Sequence, residues 1–530
     1  MKIMGLRANK KNDIVETQSP ESVLVDETQS PVSALVDETQ PPDSTLVDKE
    51  PVMSKKRHLP RTHFFRGKFR LFGHCIHAQF ILLAIVEFSV LIGVNYLTYR
   101  WLSPGVSEQE LLKQLPQIIG VSLVFILFIL SMGLYSGRQR ESLFGVLSRI
   151  VVALSFGLAT LALFFMIFPS LSFDKGMLAA FALTSLYCLG GLHAIFYKFI
   201  DGKILSRRIL VIGAGKRASY IDELRHKTDV RGFDQIGFIA PRVTQHVHVK
   251  PENILSLGTN FCNYALENDI DEIVIALDDR RQGLPTDELL NCRMSGIDVI
   301  DMLDFFEREM GLLQLDLIQP GWLIHAAGFK RNIFRSMIKR SFDIIASGFL
   351  LLIFFPFIIF TAIAILIESG GEGPVLYFQK RTGLNGNPFN VIKFRSMQTT
   401  AEADGKARWA ETDDPRVTRV GSFIRKYRLD ELPQLWNVFV GEMSLVGPRP
   451  ERPIFVENLC KINPLYTERH RVKPGITGWA QLCYPYGASE KDSIEKLKYD
   501  LYYVKNHGIF FDFYILMQTV EVVLFKKGSR

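Results

Sequence analysis

Ile344–Ile367 reads IIASGFLLLIFFPFIIFTAIAILI, and how this run meets a bilayer decides the architecture. It holds 24 residues without a charge, more than the ~20 that cross a membrane as helix. Arg331, Arg335, Lys339 and Arg340 precede it, and Lys380, Arg381, Lys393 and Arg395 follow. Basic residues near membrane segments favour the cytoplasmic side. Both flanks obey that rule only if the chain enters and leaves on one face. Pro356 sits mid-run, where it removes a backbone hydrogen bond and bends a helix. We read a re-entrant membrane helix over about 342–368, dipping in from the cytoplasm. The plain alternative is a further span that leaves the C-terminus outside.

Upstream lie four more apolar stretches, roughly 77–97, 117–135, 150–168 and 177–198. Each has spanning length. Four such runs in series with polar links fit a transmembrane bundle over 75–200 better than four buried core helices. A basic run from Lys55 to Arg70 enters the first stretch. Arg138, Arg140 and Arg149 fill the second link, and Lys198, Lys203, Arg207 and Arg208 follow the fourth. The third link has only Lys175. This alternation puts both ends of the bundle in the cytoplasm. Glu87 interrupts the first span, either as part of a lipid or ion path or as a group paired within the bundle.

The rest of the chain is unlike these runs. Of 530 residues, 48% are apolar and 22% charged, with 40 Phe against 5 Trp. That aromatic content excludes a wholly disordered chain. Six Cys without a CxxC exclude a small disulfide scaffold. Residues 1–60 repeat an eleven-residue unit: ETQSPESVLVD from Glu16, ETQSPVSALVD from Glu27, ETQPPDSTLVD from Glu38. Each unit offers about three adjacent apolar residues and a Pro, so it reads as a disordered tail. The net charge of +7 clusters beside apolar runs, where it meets anionic lipid rather than nucleic acid.

Residues 205–325 read as a Rossmann-like α/β domain. RILVIGAGKRASYIDEL (208–224) is a strand, a Gly-rich turn and a helix. Gly213, Gly215 and Ala218 match G-x-G-x-x-A, and the two glycines are the candidate nucleotide contacts. The second strand, QIGFIA, ends in Ala240–Pro241 without an acid placed for a ribose, and no YxxxK follows. Dinucleotide use is therefore not the expected role. A regulatory or scaffolding role remains open.

The chemistry concentrates in 335–530, an α+β segment. Its motifs are KFRSM (393–397), LDELPQLWNVFVGEMSLVGPRPE (429–451) and VKPGITGWAQ (472–481). Asp430 and Glu431 stand just before Pro433, where an N-cap and an acidic first turn belong. A capped helix is the bland reading. Arg425 and Arg428 lie just upstream, and Arg449 follows on a Pro-braced turn. Two carboxylates among cations can hold Mg²⁺ while arginines take phosphate oxygens. A carboxylate can also attack phosphorus to give an acyl phosphate.

These motifs resemble the bacterial sugar transferases, the polyprenyl-phosphate hexose-1-phosphate transferases of exopolysaccharide and O-antigen synthesis. The resemblance covers about 335–530. With the bundle and the α/β domain ahead, it is similar to the large members of that family. It implies a membrane enzyme that moves a sugar-1-phosphate from a UDP-sugar to undecaprenyl phosphate in two steps. Asp430 would attack and release UMP, and the lipid phosphate would displace Asp430. Glu431 would bind Mg²⁺, with Asp430 beside it, or assist proton movement. Lys393, Arg395, Arg425 and Arg449 fall at phosphate-contacting positions. Lys339, Arg340 and Asp343 match the family's interfacial anchor, with Pro356 as the kink. The family often has Ser-Pro at that kink, whereas this chain has Phe355–Pro356. The resemblance also implies a bacterial inner-membrane protein with a cytoplasmic catalytic domain, and suggests a homodimer. It leaves the sugar open. A non-catalytic nucleotide-sensing membrane protein and an NAD-dependent nucleotide-sugar dehydratase are the competing classes.

Overall fold

The computed structural model describes residues 68–71, 74–135, 143–201, 206–224, 233–240, 247–257, 260–279, 284–318, 333–399, 414–484, 487 and 489–524. The repeat tail over 1–60, Arg138, Arg140, Lys203 and Arg331 lie outside these residues.

A short antiparallel hairpin, β1 (Lys68–Leu71) and β2 (His74–His77), leads into four long helices. They are α1 (Ala78–Leu102), α2 (Glu108–Ser131), α3 (Leu143–Ile167) and α4 (Lys175–Asp201). Each is longer than its apolar window. α2 starts at Glu108 because Ser107 and Glu110 form a capping box that satisfies exposed amides. The core between the helices is apolar, built on Leu91, Ile118, Phe125, Ile150 and Phe181. Glu87 is fully buried there, accepts from the Tyr135 hydroxyl and pairs with His193 Nδ1 at 2.8 Å. Of its two readings, the structure shows the paired one.

The middle domain is a five-stranded parallel sheet in the order β5-β4-β3-β6-β7. Its strands are β3 (Arg207–Ile212), β4 (Phe233–Ile239), β5 (Ile254–Leu255), β6 (Glu272–Ile275) and β7 (Asp298–Asp301). Helices α5 (Lys216–Asp222), α6 (Phe261–Glu267), α7 (Thr286–Met294) and α8 (Met302–Met310) connect and cover it. This is the doubly wound pattern that βαβ crossovers produce. Two apolar cores form, one on each face, which is why β3 reads as a continuous apolar run.

α9 (Ile333–Glu368) has 36 residues and passes through Pro356. It begins earlier than the expected 342, since Ile333–Arg340 contains no Gly or Pro to interrupt it. Among the described residues five helices, α1 to α4 and α9, are long and apolar enough to cross a membrane. The chain is a membrane protein with an α/β domain.

Both ends of α9 are tied to the same C-terminal domain. Near its start, Arg340 donates to the carbonyls of Val438 and Phe439, each at 2.7 Å. Asp343 accepts from Ser444 Oγ and the Leu445 amide, each at 3.1 Å. Lys339 reaches Asp512 at 2.5 Å and the Val446 carbonyl at 3.2 Å. Near its end, Ile365 packs with Phe394 and Ile424, and Glu368 accepts from the Val420 amide at 3.0 Å.

That domain carries a hairpin, β8 (Leu376–Thr382) and β9 (Pro388–Phe394), then α10 (Arg419–Lys426) and α11 (Gln434–Val440). A small parallel pair, β10 (Ser444–Val446) and β11 (Gly475–Thr477), brackets α12 (Pro453–Ile462). α13 (Trp479–Cys483), α14 (Glu490–Asn506) and α15 (Ile509–Leu524) close it. α14 is a core helix: residues 500–506 are all buried. Phe423 on α10, Tyr427 just after it, and Trp436 and Phe439 on α11 are exposed. The middle domain grips α14 through a buried pair, Glu307–Lys505 at 2.5 Å, and Trp479 donates to the Gly311 carbonyl at 2.7 Å.

Candidate active site

The site begins at a turn the chain makes at some cost. Arg428 has φ 59°, the left-handed conformation that non-glycine residues rarely adopt. Such strain costs of order 1 kcal/mol and collects at functional sites. It reverses the chain after α10 and leads into a single 3₁₀ turn, Leu429–Glu431. Asp430 and Glu431 therefore lie in this turn and not at the helix cap. Pro433 takes the cap position ahead of Gln434. Both carboxylates are buried.

Cations from three elements converge on Glu431 Oε1. Arg449 Nη2 donates to it at 2.6 Å, Lys393 Nζ lies at 3.4 Å and Arg428 Nη1 at 3.8 Å. Lys393 comes from β9, whose register against α11 is held by Asn437. The Asn437 side chain accepts from the Ile392 amide at 3.0 Å and donates to the Asn390 carbonyl at 2.8 Å. Arg449 comes from the loop after β10. Arg425 acts on Asp430 through its field. Arg395 points elsewhere and donates to the Glu372 carbonyl at 2.9 Å. Of the phosphate candidates, Lys393 and Arg449 thus meet the acidic pair directly.

The two neighbouring acids are driven apart. Burial and the adjacent Glu431 charge push Asp430 up to about 6, against the pull of Lys393, Arg428 and Arg425. Burial would raise Glu431 too, but Arg449, Lys393 and Arg428 outweigh it and hold Glu431 below the usual carboxylate range. Burial, and Arg449 nearby, lower Lys393. Glu431 is held as an anion by its cations, while Asp430 has no cation bound directly to it among the described residues.

Mg²⁺ typically takes one or two protein carboxylates and completes its shell with phosphate oxygens and water. Adjacent Asp430 and Glu431 fit that donor set. Among the described residues no group of three or more His, Cys, Asp or Glu side chains forms an all-protein site.

Two contributors escaped the sequence reading. Arg381 donates to the Pro450 carbonyl at 3.1 Å and pairs with Glu451 at 3.4 Å, bracing the Arg449 loop. Arg469 holds the same loop through the Arg449 carbonyl at 2.9 Å. Neither lies in a motif that signals chemistry.

In the middle domain, Gly213 has φ 127°, and a Cβ there would stand 2.4 Å from the Ala276 carbonyl oxygen. A Cβ on Gly215 would stand 2.0 Å from Asp278 Oδ2. Asp278 accepts from the Lys216 amide at 2.9 Å and the Arg217 amide at 2.8 Å. A carboxylate of the chain itself sits at the turn where a phosphate would bind.

The bacterial sugar transferase family model matches residues 334–526. A UDP-N-acetylgalactosamine-undecaprenyl-phosphate N-acetylgalactosaminephosphotransferase of Aeromonas hydrophila is 38% identical over 242 residues, 46% of this chain and 56% of that protein. A UDP-glucose:undecaprenyl-phosphate glucose-1-phosphate transferase of Escherichia coli is 42% identical over 188 residues, 35% of this chain and 39% of that protein. A sugar transferase of Bacillus subtilis is 43% identical over 198 residues, 37% of this chain and 91% of that protein. The chain thus spans just over half, or less, of the first two relatives and nearly all of the third. It belongs to the bacterial sugar transferase family.

Proposed function

We propose that the protein is a membrane phosphoglycosyl transferase that passes a sugar-1-phosphate from a UDP-sugar to undecaprenyl phosphate. The observation that carries this reading is the buried Asp430 beside a Glu431 already neutralised by Arg449, Lys393 and Arg428. Cations in excess of local acid favour a diphosphate. A carboxylate Oδ of Asp430 attacks the β-phosphorus. The bond from that phosphorus to the bridging oxygen breaks, and UMP leaves with the electron pair. A phosphate oxygen of the lipid then attacks the same phosphorus, and the Asp430 oxygen departs as carboxylate. Arg449 and Lys393 hold the phosphoryl oxygens through both steps. Mg²⁺, held by Asp430 and Glu431, would neutralise charge on the diphosphate.

A soluble donor and a lipid acceptor must meet at the membrane face. We infer that α9 is re-entrant and that the catalytic domain lies on the cytoplasmic face of the bacterial inner membrane, where UDP-sugars are made. Attachment of both helix ends to one domain supports this. A straight helix of 36 residues would be about 54 Å long, so a spanning α9 would carry its ends to opposite faces. The exposed aromatics on α10 and α11 suit an interface. A homodimer remains part of the proposal by analogy with large family members. The carboxylate at the Gly213–Gly215 turn supports a scaffolding role for the middle domain over a dehydratase.

Two measurements test these readings. Purified protein given a panel of UDP-sugars and undecaprenyl phosphate should release UMP and form a lipid-linked sugar for at least one donor. No UMP from any donor would remove the enzymatic reading. For topology, Ser336→Cys and Glu372→Cys flank the apolar run at exposed positions. A membrane-impermeant maleimide should label both from the cytoplasmic face of vesicles, above the wild-type background. Labelling of Glu372→Cys from the opposite face only would make α9 a spanning helix.

A further inference from the structure

The arginine that meets Glu431 is itself held from behind. Arg449 stands on a loop between β10 and α12, and its backbone carbonyl accepts from Arg469 Nη2 at 2.9 Å. Arg469 lies in the last turn of the 3₁₀ segment Pro464–Arg471 and is buried. The same Nη2 pairs with Asp500 of α14 at 2.8 Å. Nη1 donates to the Tyr466 hydroxyl, and the guanidinium lies 4.8 Å from that ring's centroid. Asp500 is 3% exposed, so neither charge has solvent as an alternative.

Stability is a poor explanation for this pair. Replacing a buried ion pair with apolar side chains is often neutral or stabilising. Arg469 Nε also finds no acceptor among the described residues, a cost that a purely structural pair gains nothing by carrying. What the pair achieves is geometric. A planar guanidinium can serve a carboxylate, a hydroxyl and a carbonyl at once in fixed directions, which an ammonium cannot reproduce. Arg381 holds the next carbonyl, that of Pro450. The Thr382 amide holds the one after, that of Glu451, at 2.9 Å. Three consecutive carbonyls are pinned, and the side chain that this leaves aimed at Glu431 is Arg449.

We propose that Arg469, held by Asp500, is a positioning residue for phosphoryl transfer. By pinning the Arg449 carbonyl it fixes where the Arg449 guanidinium meets Glu431 and the incoming phosphate. The inference rests on the transferase reading above. It acts through placement, and misplacement by about 1 Å costs on the order of 100-fold in rate.

The test uses the full chain in membranes. Arg469→Lys keeps the charge opposite Asp500 and loses the fork. We expect its kcat/KM for the UDP-sugar to fall roughly 10- to 100-fold at a melting temperature near wild type. Because Arg469 acts through Arg449, the double variant Arg449→Lys/Arg469→Lys should be little worse than Arg449→Lys alone. Wild-type turnover in folded Arg469→Lys, or single losses that multiply in the double variant, would overturn the proposal. Should Arg469→Lys not fold, Asp500→Asn, nearly isosteric, is read in the same cycle with the same two outcomes. Failure of the transferase reading looks different: the wild type itself would then release no UMP from any UDP-sugar, whatever stands at position 469.

Discussion

Asp430→Asn should abolish transfer, with a loss of at least about a thousandfold in kcat. Asn keeps the shape and the burial but has no carboxylate oxygen to form the acyl phosphate. A residue that only held the substrate would lose less, and mainly in KM. The measurement is UMP release in the absence of lipid acceptor, which isolates the first step. The wild type should give a burst limited to one UMP per site, and the variant none. A burst from Asp430→Asn would move the nucleophile elsewhere. The pH profile adds an independent check. Asp430 is raised to about 6, so it is anionic above that value and protonated below it. The kcat/KM for the UDP-sugar should therefore be flat from neutral pH down to about 6. It should then fall about tenfold for each further unit. A flat profile down to pH 4.5 in folded protein would contradict an unpaired, elevated carboxylate.

Arg449→Ala should follow with a loss of about 100- to 1,000-fold in kcat/KM, the range for removing one preorganised charged donor. The wild-type contact of 2.6 Å to Glu431 Oε1 shows how much of the site's balance this one side chain carries. Its removal leaves Lys393 and Arg428 to offset Glu431. It also frees Glu431 to titrate nearer the ordinary carboxylate range, and its charge then opposes the anionic substrate. Steady-state kinetics at two Mg²⁺ concentrations would separate the contributions. Partial recovery at high Mg²⁺ points to lost charge neutralisation. Loss of less than threefold would show that Arg449 serves the loop alone.

The membrane helices were legible because composition alone encodes them: a run of ~20 apolar residues has few other uses. The parallel sheet was legible from β3, whose burial on both faces leaves an unbroken apolar word. The acidic pair was legible too, since adjacent carboxylates among arginines are expensive without a task. What stayed hidden was set by distance along the chain. Arg469 and Asp500 meet across 31 positions, and no local pattern announces that meeting. The 3₁₀ turn at Asp430 was missed for a related reason. A helix cap and a turn share the same residue preferences, and the left-handed Arg428 that decides between them leaves no mark in composition. Asp278 was invisible likewise: G-x-G-x-x-A specifies a bare backbone and is silent about what lies against it.

The moorings of α9 carry a consequence for product release. The helix presents Phe349, Leu352, Phe355, Phe357 and Phe360 as exposed apolar surface, while both of its ends are fastened to the catalytic domain. Lifting that domain into water would drag this surface with it. At about 1.5–3 kcal/mol for each large apolar side chain, five of them set a penalty well above thermal energy. With α9 re-entrant as proposed, the domain would work at a constant height, as a float moored at bow and stern. In the proposed reaction a lipid-linked product would leave not by detachment of its maker but by sliding away within the leaflet, and the next enzyme to use it would have to meet it in that same plane.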